Sequence, residues 1–86
     1  MAYRLSKHAQ LECERRHIPI ALVDAVVREP QQVLPAHDGK RAYQSRVLFP
    51  DGREWLLRAI VDDRVQPAVV VTVYRTSKLT KYWSIP

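Results

Sequence analysis

Hydrophobic and polar positions along the chain fall into two regimes. Up to residue 30 the apolar residues recur at helical spacing. Leu5, Ala9 and Cys13 stand four apart in a thin stripe, and Ile20, Leu22, Val23, Val26 and Val27 form a broader one. Ser6 is a good N-cap, Pro19 suits a first helical turn and Pro30 is a stop, so helices are predicted over 7–16 and 19–29. Residues 31–40, with Pro35, Asp38 and Gly39, read as irregular. Beyond them the spacing is that of strands, predicted over 41–49, 53–62 and 68–75. The first two flank Pro50-Asp51-Gly52, a hairpin signal, and residues 62–67 make a second turn. Val69, Val70, Val71 and Val73 leave the last strand no polar face before Thr72, which predicts a central strand buried on both sides. The expectation is one α+β domain over 1–86. Two N-terminal helices pack on one face of a curved three- to four-stranded antiparallel sheet, and a basic tail follows over 76–86.

Length and composition narrow what such a domain can be. A chain of 86 residues buries roughly 60% of its unfolded surface around one core, and leaves no room for a cofactor domain. No apolar run approaches the roughly 20 residues that span a bilayer, and the first seven residues lack the apolar core of a secretory signal. A cytoplasmic protein with no membrane partner is expected. The single cysteine, Cys13, reads as a small core residue, and no Cys/His spacing resembles a metal site, so neither metal nor cofactor is expected. The net charge is +5, and residues 64–86 hold Arg64, Arg75, Lys78 and Lys81 with no acid. That concentration of positive charge favours a polyanionic partner.

Period-two alternation decides which side chains meet across a sheet. Glu54, Leu56, Arg58 and Ile60 share one face of their strand; Ala68, Val70, Thr72 and Tyr74 share one face of the next. Arg46 and Arg58 lie mid-strand, where a charge is costly unless its face meets water or an anion. His8, in the first turn of its helix, is a side chain whose charge changes near working pH. Arg15 follows it on nearly the same helix face, beside Arg16. Thr72 and Tyr74 offer hydroxyls to a phosphate oxygen, while Lys78 and Lys81, with Tyr82 and Trp83, combine charge with stacking surfaces suited to single-stranded RNA. His17 and His37 sit in loops and carry less weight.

The string Ser6-Lys7-His8-Ala9, then Glu12 and Arg15-Arg16-His17-Ile18 before a helix ending at Glu29-Pro30, then Val71-Thr72-Val73-Tyr74-Arg75 and a basic tail, resembles the uncharacterised domain family four-two-five-eight over nearly the whole chain. In this chain His17 replaces the family's usual glycine before the second helix. That family is similar to the barnase, EndoU, colicin and RelE group of ribonuclease folds. The resemblance implies helices against a curved antiparallel sheet. It also implies a bacterial toxin of a toxin-antitoxin pair, cutting RNA without a metal.

RNA cleavage by 2′-hydroxyl attack needs a base, an acid and cations for the transition state. His8, Arg15, Thr72, Tyr74 and Lys78 are the expected catalytic set, gathered on one concave sheet face, with Arg16, Arg46, Arg58, Arg75, Lys81 and Trp83 holding RNA. An acidic antitoxin protein would cover the same cations. Two further readings are a non-catalytic RNA- or ribosome-binding module and a protein-interaction module of a mobile element.

Overall fold

Ser6 opens the first helix: its hydroxyl accepts the Ala9 N–H at 3.0 Å, satisfying one of the donors that a helix start leaves over. The computed structural model describes residues 1–85, and Pro86, at the end of the predicted tail, lies outside them. The order is β1 (Tyr3–Leu5), α1 (Lys7–Arg15), α2 (Ile20–Arg28), β2 (Gln32–Pro35), a 3-10 turn at His37–Gly39, β3 (Arg41–Leu48), β4 (Glu54–Asp62), β5 (Ala68–Thr76) and α3 (Leu79–Tyr82). The fold is α+β. Among the described residues, no helix is long and apolar enough to cross a membrane.

Two turns set the path of the chain. At the end of α1, His17 takes a left-handed φ of 54°. The His17 N–H reaches back to the Glu14 carbonyl at 3.3 Å and the Ile18 N–H to the Cys13 carbonyl at 2.9 Å. This is the Schellman arrangement, and its usual apolar contact is supplied by Ile18 and Cys13, both in the core. The β3–β4 hairpin closes at Phe49, whose N–H donates to the Arg53 carbonyl at 2.9 Å, with Gly52 at φ 80°. Asp51 braces it by accepting the Arg53 N–H at 2.9 Å and the Trp55 indole N–H at 3.1 Å.

The sheet departs from the expected three or four antiparallel strands. It has five, in the order β1-β5-β4-β3-β2, and it is mixed, because β1 runs parallel to β5 through Tyr3↔Ala68 and Leu5↔Val70. The segment read as irregular contains β2, antiparallel to β3 from Gln32↔Gln44 to Pro35↔Arg41. Both added strands are sheet edges too short to show an alternation, and an edge tolerates the Pro35 that ends β2.

A register shift between Ile60 and Val61 gives the sheet its two different faces. Val61 pairs with Val70 and Ile60 with Thr72, so Val71 is an extra residue on β5, a bulge. The Ser6 hydroxyl donates to the Val71 carbonyl at 3.0 Å. Ala68 and Val70 before the bulge, and Val73 after it, therefore point to the same side, where they join Leu57, Ala59 and Val61 in one core with Ala9, Cys13, Val23, Val26 and Val27. Thr72 and Tyr74 point to the other. The expected grouping of Ala68 and Val70 with Thr72 and Tyr74 is thus corrected by the bulge. With α1 on β5 and α2 on β3 and β4, both helices cover the core side only.

Candidate functional site

The face away from α1 and α2 carries polar side chains in mid-sheet. Its neighbours across β3, β4 and β5 are Gln44↔Arg58↔Tyr74, with Ile60↔Thr72 one step along. Gln44 is 0% exposed and Arg58 only 9%. The Arg58 Nε–H donates to Gln44 Oε1 at 2.8 Å, and its Nη1 donates to the Tyr74 hydroxyl. Segment 79–85 returns across this face. It lays the Tyr82 ring 4.3 Å from the Arg58 guanidinium carbon and edge-on to Tyr74, with centroids 6.2 Å apart. Gln44 Nε2 donates to the Tyr82 carbonyl at 3.0 Å, which holds the segment down.

A cleft of about 630 Å³ lies beside this stack, lined by Pro35, Ala36, His37, Arg58, Ile60, Thr72, Tyr74, Lys81 and Tyr82. That volume is in the range of sites for small ligands. Its far wall is the tight turn between β2 and β3, closed by the Ala36 N–H to the Lys40 carbonyl at 2.9 Å and the Lys40 N–H to the His37 carbonyl at 3.0 Å. Gly39 suits the turn with its φ of 73°, next to Asp38 at 56°; a Cβ there would stand 2.5 Å from Arg64 Nη1, the tip of a flexible side chain that can swing aside. The turn thereby holds His37 at the cleft.

Charge in the cleft is almost wholly positive. Among the described residues, Arg15 and Arg16 pair with Glu12, Arg28 with Asp24, Arg41 with Asp63, Arg46 with Glu54, Arg64 with Asp62 and Arg75 with Asp51; no carboxylate pairs with Arg58. A desolvated guanidinium with only neutral acceptors is a standing invitation to an anion. The two phenols are driven apart. Burial pushes the Tyr74 hydroxyl up from its ordinary pKa against the pull of Arg58, whereas the hydrogen bond with Lys81 draws Tyr82 down. A second hollow of about 400 Å³, lined by Leu5, Gln10, Cys13, Glu14, Ile18 and Ile20, has no cation in its wall.

The expected site residues are divided by the sheet. Thr72, Tyr74, Arg58 and Lys81 meet at the cleft, and Arg46 and Trp83 lie on the same face, with the Arg46 guanidinium carbon 5.9 Å from the Trp83 ring centroid. His8 and Arg15 do not join them. They are exposed on α1, which packs on the opposite side, and Arg15 and Arg16 both grip Glu12, at 2.7 and 2.6 Å. Arg75 projects to the core side and Lys78 is exposed at the start of α3, outside the lining. The single concave face gathering His8 with the strand hydroxyls is therefore corrected: the histidine at the cleft is His37. Tyr82, expected as a stacking ring of the tail, stacks on Arg58 instead. Gln44 was missed as well; the signal that could have found it is its place opposite Arg58 in the hairpin register set by Asp51-Gly52.

A family model described as a domain of unknown function (DUF4258) matches residues 5–75. The match takes in Arg58, Thr72 and Tyr74 and stops before segment 79–85. No curated protein and no solved structure matches the chain.

Proposed function

The chain belongs to the DUF4258 family, and we propose that its open-face cleft binds single-stranded RNA and cleaves it as a metal-independent endoribonuclease of the toxin type, built on the plan of the RelE and barnase group. The observation that carries this reading is Arg58, desolvated, fixed by Gln44 and Tyr74, and paired with no carboxylate among the described residues. Around it stand Thr72, Lys81 and His37, a set able to hold a phosphodiester and move protons.

In this mechanism Arg58 and Lys81 hold the non-bridging phosphate oxygens, and Thr72 and Tyr74 donate to them. His37 takes the proton of the 2′-hydroxyl as its oxygen attacks phosphorus. The bond from phosphorus to the 5′-oxygen breaks, and Tyr82, made more acidic by Lys81, returns a proton to that oxygen. The products are a 2′,3′-cyclic phosphate and a free 5′-hydroxyl. Rings at Tyr82 and Trp83 offer stacking surfaces to the flanking bases. A cytoplasmic enzyme of this kind needs restraint, and an acidic antitoxin segment laid on the same cations supplies it.

Digestion of mixed-sequence single-stranded RNA by the full chain, in the presence of a chelator, tests the reading. Fragments ending in cyclic phosphate are expected. His37→Ala slows their formation by about two orders of magnitude, while His8→Ala changes it by less than about twofold. RNA left intact sinks the nuclease; salt-sensitive binding without cleavage returns the non-catalytic module.

A further inference from the structure

Gln44 bonds two members of the cleft lining, Arg58 and Tyr82. As a neutral amide it has one acceptor oxygen and two donor hydrogens, and all are used although the side chain is 0% exposed. The oxygen accepts from Arg58 at 2.8 Å; the nitrogen donates to Gln32 Oε1 at 2.7 Å and to the Tyr82 carbonyl at 3.0 Å. Gln32 extends the chain of bonds outward. Its oxygen also accepts the Ser84 N–H at 3.1 Å, and its nitrogen donates to the Ser84 carbonyl at 2.5 Å. The strand that carries Tyr74 ends at Thr76, and segment 79–85 is held on the sheet by this amide pair, by Tyr82 against Arg58 and Tyr74, and by Trp83 against Arg46.

We propose that Gln44 is a positioning residue that couples the docking of segment 79–84 to the aim of the Arg58 guanidinium, so that the segment closes on the cleft when a phosphodiester fills it. The inference rests on the reading of this cleft as an RNA site. Few side chains meet the demand at this position. Leucine would strand the Arg58 Nε–H and the Tyr82 carbonyl without partners. Glutamate keeps the acceptor, removes both donors, and hands Arg58 an internal carboxylate that competes with phosphate. Such coupling is reciprocal: a docked segment that aims Arg58 must itself be held more tightly once Arg58 has bound an anion.

A 2′-O-methyl RNA octamer, which lacks the attacking hydroxyl, is the probe, and the full-length protein is used throughout. Binding of the octamer to wild type is expected to slow amide exchange at residues 82–84. Gln32→Ala loosens the segment without touching Arg58 or the cleft lining. It is expected to weaken octamer binding on the order of tenfold and to abolish the added protection. Gln44→Glu, of nearly the same shape, serves as the second variant and is expected to weaken binding at least as much. Octamer affinity unchanged in both variants, or binding to wild type that leaves exchange at 82–84 as it was, overturns the coupling while sparing the RNA reading. An octamer that wild type does not bind overturns both.

Discussion

Arg58 and Arg75 stand on neighbouring strands one step out of register, and they project to opposite faces of the sheet. Each guanidinium carbon lies against two rings that meet edge to face. For Arg58 these are Tyr82 at 4.3 Å and Tyr74 at 5.6 Å; for Arg75 they are Phe49 at 4.6 Å and Trp55 at 4.7 Å. What separates them is the third partner. Arg75 reaches the Asp51 carboxylate at 4.0 Å, while Arg58, the more deeply buried, meets the Gln44 amide oxygen and the Tyr74 hydroxyl. One cluster has a carboxylate within reach of its arginine and closes the hairpin end of the core. The other leaves a full positive charge at the wall of a cleft. A ring-stacked arginine is therefore not by itself a sign of a site; the absence of a nearby acid is what distinguishes the two faces.

The largest effect expected from breaking that contrast is on RNA affinity. Arg58→Met should weaken octamer binding on the order of a hundredfold, about 2.7 kcal/mol. It should also lower the melting temperature, because the buried Gln44 oxygen loses its donor and the Tyr82 ring its cation. Arg75→Met should cost about 1 kcal/mol of stability but less than about twofold in affinity. Lysine at position 58 should not rescue binding, since an ammonium cannot reproduce the forked contacts to Gln44 and Tyr74. Titration calorimetry and thermal melts on the three variants decide the matter. A larger affinity loss for Arg75→Met than for Arg58→Met would dissolve the distinction between the faces.

Ser6 offers a smaller and more diagnostic change, because it serves both faces at once. Its hydroxyl accepts the Ala9 N–H at the head of α1 and donates to the Val71 carbonyl at the bulge. Ser6→Ala loses a cap and a bond to the residue that turns Thr72 toward the cleft. A cost of about 1–2 kcal/mol in denaturant unfolding is expected, together with a modest fall in octamer affinity. A stability loss with affinity untouched would show the bulge to be held by the strands alone.

How far these two faces are legible in the amino-acid order depends on whether a local rule governs them. The broad apolar stripe of α2 and the Asp51-Gly52 turn announce themselves, because a helix face and a hairpin are specified within a few residues. Arg58 was also legible as a charge out of place in mid-strand. The bulge was not: Val69, Val70 and Val71 are alike, and nothing in three consecutive valines marks which is the extra one. That single residue reverses the facing of everything before it relative to Thr72 and Tyr74, and with it the choice of histidine. His8 is placed by where α1 packs, which Ala9, Cys13 and the valines of β5 decide together. His37 is placed by the pairing of β2 with β3, which lays the turn between them beside the cleft. The edge strands β1 and β2 are set by pairing with β5 and β3, partners distant enough that no short window contains both.

The smallest expected effect lies wholly on the helix side and sharpens the contrast by leaving the cleft alone. His17 closes α1 in a left-handed conformation, φ 54°, with its side chain exposed. A Cβ in that region costs roughly 1–2 kcal/mol, and glycine avoids the clash while giving up some of the gain to the greater freedom of the unfolded chain. The two backbone bonds that close the helix, His17 to Glu14 and Ile18 to Cys13, need no side chain at position 17. His17→Gly should therefore stabilise the domain by about 0.5–1 kcal/mol, a rise of roughly 2–8 °C in melting temperature for a chain of this size. RNA cleavage and octamer affinity should stay at the wild-type level, since the turn lies on the helix-covered side of the sheet, away from His37 and Arg58. A variant that melts lower than wild type would mean that the imidazole makes a contact that holds the turn; one that melts higher but loses cleavage would place the α1–α2 turn within reach of the RNA.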